Sequence, residues 1–228
     1  MLRYTLLLAL FVAALPLNAQ EQSVKPGINK SFDKPDVPQF VERFEREGRD
    51  VYDRRNEIVA ALGLRPGMAV ADIGAGTGLF TRMFSPIVGQ SGKVYAVDIA
   101  DEFVAHIVRL AKDQKQKNII GVVCNQDSVE LPAESVDLVF ICDTYHHFEF
   151  PHKTMRTIYE ALRPGGQVVL IDFHRIEGVS REWVLGHVRA GQDVFTKEIV
   201  DTGFTQVEER TKLLRESYFV RFKKVLDE

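Results

Sequence analysis

The chain has 228 residues, of which 45% are hydrophobic and 27% charged, and these are ordinary values for one globular α/β domain. Its formal net charge is −3, so electrostatics offer no case for a nucleic-acid partner. The two cysteines, Cys124 and Cys142, both lie in apolar runs, and we interpret them as core residues. We expect no metal site, and a disulfide is disfavoured.

Residues 1–19 have the features of an export signal. Arg3 supplies an early positive charge, Leu6–Leu15 is an apolar run, and Pro16 ends the run shortly before Ala19, a small residue suited to cleavage. The run is shorter than the roughly 20 residues that span a bilayer. We therefore expect a signal peptide and an exported protein, periplasmic or secreted. An uncleaved segment would instead leave the protein membrane-tethered or cytoplasmic.

The chain between this signal and the first strand divides into an arm and a helical cap. Residues 20–36 are polar and rich in turn formers, which is typical of a flexible arm. Helical patterns follow at about 38–44 and 53–62, and they predict a short N-terminal helical cap. The charged segment between them contains Arg49 and Tyr52. It is either a solvated junction or a lid over a ligand, and both interpretations stay open.

The segment Val70–Gly78 combines a buried strand with a glycine-rich turn. Its apolar run ends on Asp72, three glycines follow at alternate positions, and a helical pattern begins at Leu79. Glycine permits positive φ and close approach of a ligand to the backbone, and a helix N-terminus offers free N–H groups. The turn is therefore typical of a nucleotide site. It departs from the dinucleotide spacing G-x-G-x-x-G, because Leu79 and Thr81 stand where the last glycine would be.

Further buried strands are predicted downstream, separated by helical patterns, at Lys93–Asp98, Asn118–Cys124, Ser135–Cys142 and Gln167–His174. An alternating pair, Phe204–Leu213 and Ser217–Lys223, follows near the end of the chain. An acid at the end of the second strand bonds ribose hydroxyls in nucleotide-binding α/β folds, and Asp98 has that position. Ligands bind outside the carboxyl ends of such strands, so one edge of the sheet should collect Asp72, Asp98, Asp127 and Asp143.

The pattern Asp-x-Gly-x-Gly-x-Gly at residues 72–78 resembles motif I of the class I S-adenosylmethionine (SAM)-dependent methyltransferases. The turn Arg163–Gly166 before the fifth strand is also common in that family, and the resemblance covers residues 64–223. It implies an α/β fold, a Rossmann-like three-layer sandwich with a mostly parallel seven-stranded sheet and an antiparallel last strand. The methyltransferase domain would span residues 37–228, with its core at 64–223.

The resemblance also implies SAM as the cofactor. In the family, an acid at the position of Asp127 bonds the adenine amino group, although a turn cap is an alternative role for this residue. Asp143 begins a segment that resembles the family's fourth motif. The predicted cofactor-binding residues are Asp72, Gly74, Ala75, Gly76, Thr77, Gly78, Asp98, Ile99, Asp127, Ser128 and Asp143.

Methyl transfer from SAM is an in-line displacement in which a neutral thioether leaves, so a base matters only where the acceptor must lose a proton. Histidine suits that task because its unperturbed pKa is about 6.5. The candidate bases are His146 and His147, which follow the fourth strand, and His174, which follows the fifth. We prefer His147 as the base. His187 and Arg189 on a late helix either line the acceptor pocket or, as we prefer, belong to a solvated face.

The sequence thus predicts SAM-dependent methyl transfer to a small-molecule acceptor, with no nucleic-acid partner and no membrane span after signal removal. Asp143–His146 lacks the Asn/Asp-Pro-Pro-aromatic motif of enzymes that methylate base amino groups, whereas quinone-type and other small-molecule O- or C-methylation stays open. The alternative is a SAM- or nucleoside-binding protein without transferase activity. A nicotinamide dehydrogenase is opposed by the glycine spacing and by Asp72.

Overall fold

Seven strands form one sheet in the computed structural model, which describes residues 22–225. The strands are β1 (Ala69–Ile73), β2 (Lys93–Asp98), β3 (Ile119–Val123), β4 (Val136–Cys142), β5 (Leu162–Phe173), β6 (Phe204–Glu209) and β7 (Ser217–Lys224). The α-helices are α1 (Val37–Phe44), α2 (Asp50–Asp53), α3 (Arg55–Leu62), α4 (Leu79–Val88), α5 (Asp101–Asp113), α6 (Pro151–Ala161), α7 (Glu182–His187) and α8 (Gln192–Val200). Short 3₁₀ helices occupy Lys30–Phe32 and Tyr145–His147.

The sheet order is β3-β2-β1-β4-β5-β7-β6. The pairs from β3 to β5 are parallel, whereas β7 pairs antiparallel with both β5 and β6. The chain order reverses at β1, whose neighbours are β2 on one side and β4 on the other, and ligands bind at such switch points. This topology confirms the predicted Rossmann-like fold, including the inserted antiparallel last strand.

Helices cover both faces of the sheet, which explains why its central strands are apolar runs rather than alternating patterns. Successive side chains of β1 point to opposite faces, so Val70 packs with Phe84 and Phe140 while Ala71 packs with Val139 in a separate cluster. The two apolar clusters are the two core layers of the predicted sandwich.

Helices α1 and α2 lie over the carboxyl edge of the sheet, whereas α3 packs on one face of the sheet. Asp36 begins α1 by accepting a hydrogen bond from the Gln39 backbone N–H at 3.2 Å. Phe40, buried on α1, packs against Phe103 of α5 with ring centroids 5.3 Å apart. The helix predicted at 53–62 is α3, which begins at Arg55, and the short α2 precedes it because Arg54 leaves helical geometry (φ −99°, ψ 13°).

The segment 22–36 lies along the same edge of the sheet. The Lys25 ammonium donates to the carbonyl of His187 at 2.5 Å, and the Asn29 amide donates to the carbonyl of His147 at 3.1 Å. Its composition suggested a loosely attached arm, whereas these contacts attach it to the domain. Composition misses this because the polar side chains find partners on the domain instead of in solvent.

The predicted signal peptide at 1–19 lies outside the described residues. Within 22–225, no helix combines the length and the apolar character that a membrane crossing requires.

Candidate functional site

A cavity of about 450 Å³ lies at the carboxyl ends of β1, β2 and β4, within the size range of small-molecule sites. At one end it is lined by the turn 72–77 and by Asp98, which we call the glycine end. At the other it is lined by His146, His147 and His187, which we call the histidine end.

The turn that builds the glycine end requires glycine at position 74. Gly74 has φ +69°, in the left-handed region, and a Cβ there would lie 2.2 Å from Cγ2 of Thr144. Gly78 has a different role from the one predicted, because it does not line the cavity. A Cβ at Gly78 would lie 2.7 Å from Cγ1 of Ile107, so this glycine allows the turn to pack closely on α5.

Asp98 ties the glycine turn to the end of β2. Its carboxylate accepts hydrogen bonds from the backbone N–H groups of Gly76 at 2.8 Å and Ala100 at 3.0 Å. Burial raises the pKa of Asp98 to about 6. A carboxylate has about four acceptor sites, so capacity remains for hydroxyl donors of a ligand.

Asp72 is the second buried acid of the glycine end. It accepts a hydrogen bond from the Thr81 hydroxyl at 2.6 Å. Burial raises the pKa of Asp72 to about 7, and the negative charge of Asp98 adds to the effect. A cation bound beside these two acids would favour their ionised forms.

Asp143 is paired with the N-terminal cap rather than free. Arg49, at the start of α2, donates to its Oδ2 at 2.6 Å and to the carbonyl of Phe44 at 2.8 Å. Burial raises the pKa of Asp143, while the Arg49 guanidinium opposes that shift. The buried Oδ1 of Asp143 has no hydrogen-bond partner within 22–225. Arg49 therefore joins the N-terminal cap to the residue after β4, and one carboxylate oxygen of Asp143 stays available beside the cavity.

Asp127 does not reach the cavity. Its side chain is 45% exposed and lies 3.5 Å from the Lys153 ammonium on α6. A bridge between Asn125 and Ser128 forms the local turn, and Gln126 and Ser128 line the cavity while Asp127 does not. The adenine-binding role predicted for Asp127 therefore lacks support in its position.

Most of the other predicted residues do come together. The cavity is lined by Asp72, Gly74, Ala75, Gly76, Thr77, Asp98, Ile99, Ser128, Asp143, His146 and His147. His174 is not among the lining residues and packs instead against Tyr218, with ring centroids 5.6 Å apart.

At the histidine end, His146 is buried and held by a carboxylate. Its Nδ1 lies 2.8 Å from Oδ1 of Asp172, and its backbone N–H donates to Oδ2 of the same residue at 3.1 Å. Asp172 is fully buried near the end of β5. Our sequence reasoning missed Asp172, although it ends a strand in the same way as Asp72 and Asp98.

His147 and His187 face each other, with their Nε2 atoms 3.2 Å apart. Burial, reinforced by neighbouring positive groups, lowers the pKa of His147 to about 2 and that of His187 to about 4. Both imidazoles are therefore neutral at pH 7, and His147 is a weak base, which argues against the preference for it as the proton acceptor. The helix α7 turns His187 into the cavity, whereas Arg189 pairs with Glu198 at 2.6 Å.

Comparison with known proteins finds methyltransferases at the level of sequence. Residues 71–170 match a family model described as a methyltransferase domain. Over 127 residues the chain is 32% identical to the ubiquinone/menaquinone biosynthesis C-methyltransferase UbiE of Hydrogenovibrio crunogenus, covering 54% of this chain and 48% of that protein. The chain therefore spans about half the length of the curated relatives it matches.

Solved structures share the fold at low sequence identity. A SAM-dependent methyltransferase from Aquifex aeolicus has a TM-score of 0.73 and 22% identity, covering 84% of this chain and 100% of that one. The [4+2]-cyclase SpnF has a TM-score of 0.67 and 15% identity, covering 80% and 86%. The chain is thus similar to methyltransferases over residues 71–170, and it shares its fold with a SAM-dependent methyltransferase.

Proposed function

We propose that the protein transfers a methyl group from SAM to a small-molecule acceptor. The observation that carries this proposal is the continuous cavity that joins the buried acids of the glycine end to the histidine end. The match of residues 71–170 to a methyltransferase domain model supports the same reaction.

The glycine end suits the chemical groups of SAM. Asp98 has acceptor sites left for a ribose diol, and Asp72 and the free Oδ1 of Asp143 are acceptors for an ammonium group. SAM also carries a sulfonium charge, which favours the ionised forms of acids whose burial otherwise favours protonation. Since Ser128 and Gln126 line the cavity and Asp127 does not, we expect the first two residues to contact the adenine.

The acceptor would lie toward the histidine end. Aromatic side chains line this part of the cavity, among them Phe32, Phe173 and Trp183. Such a lining suits a flat, largely apolar molecule with one or a few polar groups. The curated relatives are named for C-methylation in quinone biosynthesis, and a ring compound of that kind is the acceptor class that we propose.

Catalysis would come chiefly from alignment and from exclusion of water. Binding both reactants in one cavity converts a bimolecular step into an effectively unimolecular one. The cap contributes by closing over the cavity through the ion pair of Arg49 with Asp143, and segment 22–36 contributes Phe32. Since the leaving thioether is neutral, it needs no acid. Where the acceptor must lose a proton, His146 is better oriented than His147, because Asp172 holds it.

The alternative is a protein that binds SAM or a nucleoside without transferring a methyl group. The [4+2]-cyclase SpnF shares the fold and is named for a different reaction, so this fold alone does not dictate methyl transfer. The acids and the glycine turn serve cofactor binding under both interpretations.

Incubation with SAM labelled in its methyl group tests the proposal. The acceptors are reduced quinones and a small-molecule extract of cells, and the matched variants are Asp98→Asn and Asp127→Asn. We expect label in an organic product, loss of most of that label with Asp98→Asn, and near-normal transfer with Asp127→Asn. Binding of SAM without transfer to any acceptor would favour the alternative, and failure to bind SAM would overturn both.

A further inference from the structure

Two adjacent histidines after β4, His146 and His147, meet a third, His187 of α7, at the histidine end. Their ring centroids lie 4.3 Å apart for His146 and His147, 5.2 Å for His146 and His187, and 5.0 Å for His147 and His187. One ring nitrogen of each lies within 4.8 Å of the others. The prediction of no metal site considered only the two cysteines, and no sequence motif links His187 to His147, 40 positions away.

The spacing of these nitrogens is close to that of a coordinated set. Zinc–nitrogen bonds of 2.0–2.1 Å in a tetrahedral site place neighbouring nitrogens about 3.3 Å apart. The Nε2 atoms of His147 and His187 already lie 3.2 Å apart. Because the ligand atoms all lie within 4.8 Å of one another, no nitrogen–nitrogen separation in the set exceeds the tetrahedral value by more than about 1.5 Å.

The surroundings of the cluster orient its rings. Asp172 engages Nδ1 of His146 and leaves Nε2 available, which is the carboxylate–histidine arrangement that supports metal ligands. Trp183 stacks on the ring of His187, with centroids 4.7 Å apart and an interplanar angle of 20°. Asn29 holds the backbone carbonyl of His147. Each histidine is thus positioned by a contact outside the cluster.

Charged groups beside the cluster act on a bound ion in both directions. Ligating imidazoles must be deprotonated at the ligating nitrogen, so metal binding would displace any proton held there. Asp172 supplies a buried negative charge beside His146, while Lys25 and Arg43 are nearby cations that oppose a bound ion.

We propose that His146, His147 and His187 bind one divalent transition-metal ion at the histidine end of the cavity. Imidazole ligands suit zinc, copper, iron and nickel. Three protein ligands leave a coordination position that faces the cavity, as in catalytic rather than structural zinc sites. Metal binding does not depend on the proposed function. The role of the ion does, since an ion there would bind a polar group of the acceptor and lower its pKa, which removes the need for a histidine base.

Metal titration of the purified full chain, after chelation with dipicolinate and dialysis, tests this site. We expect one equivalent of Zn²⁺ by elemental analysis and a Kd of about 1 μM or tighter. Co²⁺ in the same site should give the intense visible bands of a tetrahedral complex. His187→Ala should weaken binding about 100-fold, and Asp172→Asn about 10- to 100-fold through the orientation of His146.

His106→Ala is the matched control, because His106 lies on α5 outside the lining of this cavity. It should bind metal like the parent. His187→Gln serves as a second variant, with folding checked by circular dichroism. Fewer than half an equivalent of bound Zn²⁺, or unchanged binding in the folded His187 variants, would overturn the proposal.

A SAM titration of the chelated protein separates this proposal from the proposed function. If SAM binds and metal does not, the metal site fails and the proposed function stands. If metal binds and SAM does not, the proposed function fails while the site stands.

Discussion

The glycine end and the histidine end of the cavity are built in opposite ways. The glycine end comes from one continuous stretch of chain. Asp72 and Asp98 stand at the ends of the neighbouring strands β1 and β2, and each has a position that a sequence pattern predicts. The histidine end collects residues from segment 22–36, the loop after β4, the end of β5 and α7. Sequence patterns predict the glycine end, whereas the histidine end forms only when distant segments meet in the folded protein.

The two ends nevertheless share an electrostatic property. Burial raises the pKa values of Asp72 and Asp98 and lowers those of His147 and His187, so burial suppresses charge at both ends. A cationic ligand is compatible with both ends, because it favours ionised carboxylates and binds neutral imidazoles. The two assignments themselves come from geometry: the buried acids beside the glycine turn suit a sulfonium compound, and the spacing of the histidine nitrogens suits a metal ion.

The largest expected effect comes from breaking the turn of the glycine end. Gly74→Ala combines strain at φ +69° with a contact of 2.2 Å to Thr144, so we expect about 3 kcal/mol or more to be lost from the free energy of unfolding. Gly63→Ala is the control, since Gly63 has φ +68° and ψ 34°, in the left-handed region, but no atom within 4 Å of its Cβ position. Urea unfolding measures both. Equal losses in the two variants would show that the close contact at Gly74 does not matter.

A smaller effect should distinguish the two acids that the sequence analysis treated alike. Asp98→Asn should weaken SAM binding about 30-fold, or about 2 kcal/mol, because charged acceptors are the stronger ones. Asp127→Asn should change it less than about twofold, because the side chain faces Lys153 and solvent. Calorimetric titration compares them. An equal loss in both variants would contradict the position of Asp127.

The burial of His147 at the histidine end should make the free energy of unfolding depend on pH. His147 has a folded pKa of about 2 against about 6.5 when unfolded, so only the unfolded state takes up a proton as the pH falls below 6.5. Stability is therefore lost on acidification, by about 2 kcal/mol from this group at pH 5. With a chelator present, the free energy of unfolding should decrease between pH 7.5 and pH 5 by about 2 kcal/mol less in His147→Gln than in the parent. Urea unfolding measures the decrease, and an equal decrease in the parent and in His147→Gln would contradict the burial of this imidazole.

The smallest effect concerns the pH dependence of SAM affinity at the glycine end. Lowering the pH from 8 to 5.5 protonates Asp72 and Asp98, whose pKa values are raised to about 7 and about 6, and a protonated acid attracts a cation weakly. We expect affinity to fall about tenfold over that range and Asp72→Asn to remove most of the dependence. A pH-independent affinity in the parent would mean that neither acid changes charge on binding.

The sequence predicted the parts of the molecule that local chemistry controls. The strands, the inserted last strand and the acids Asp72 and Asp98 at one sheet edge follow from apolar runs, turns and chain order. The direction of a side chain within a turn does not, and this is why Asp127 points away from the cavity. Contacts between distant segments are also invisible locally, so segment 22–36 was expected to be flexible and His187 to be solvated.

The central claim is that the glycine end binds SAM independently of the histidine end. Calorimetric titration of the chelated parent, Asp98→Asn and His187→Ala with SAM tests it most directly. We predict a single site in the parent, binding weakened about 30-fold by Asp98→Asn, and affinity within about twofold of the parent in His187→Ala. No binding to the parent, or an equal loss in both variants, would contradict the account.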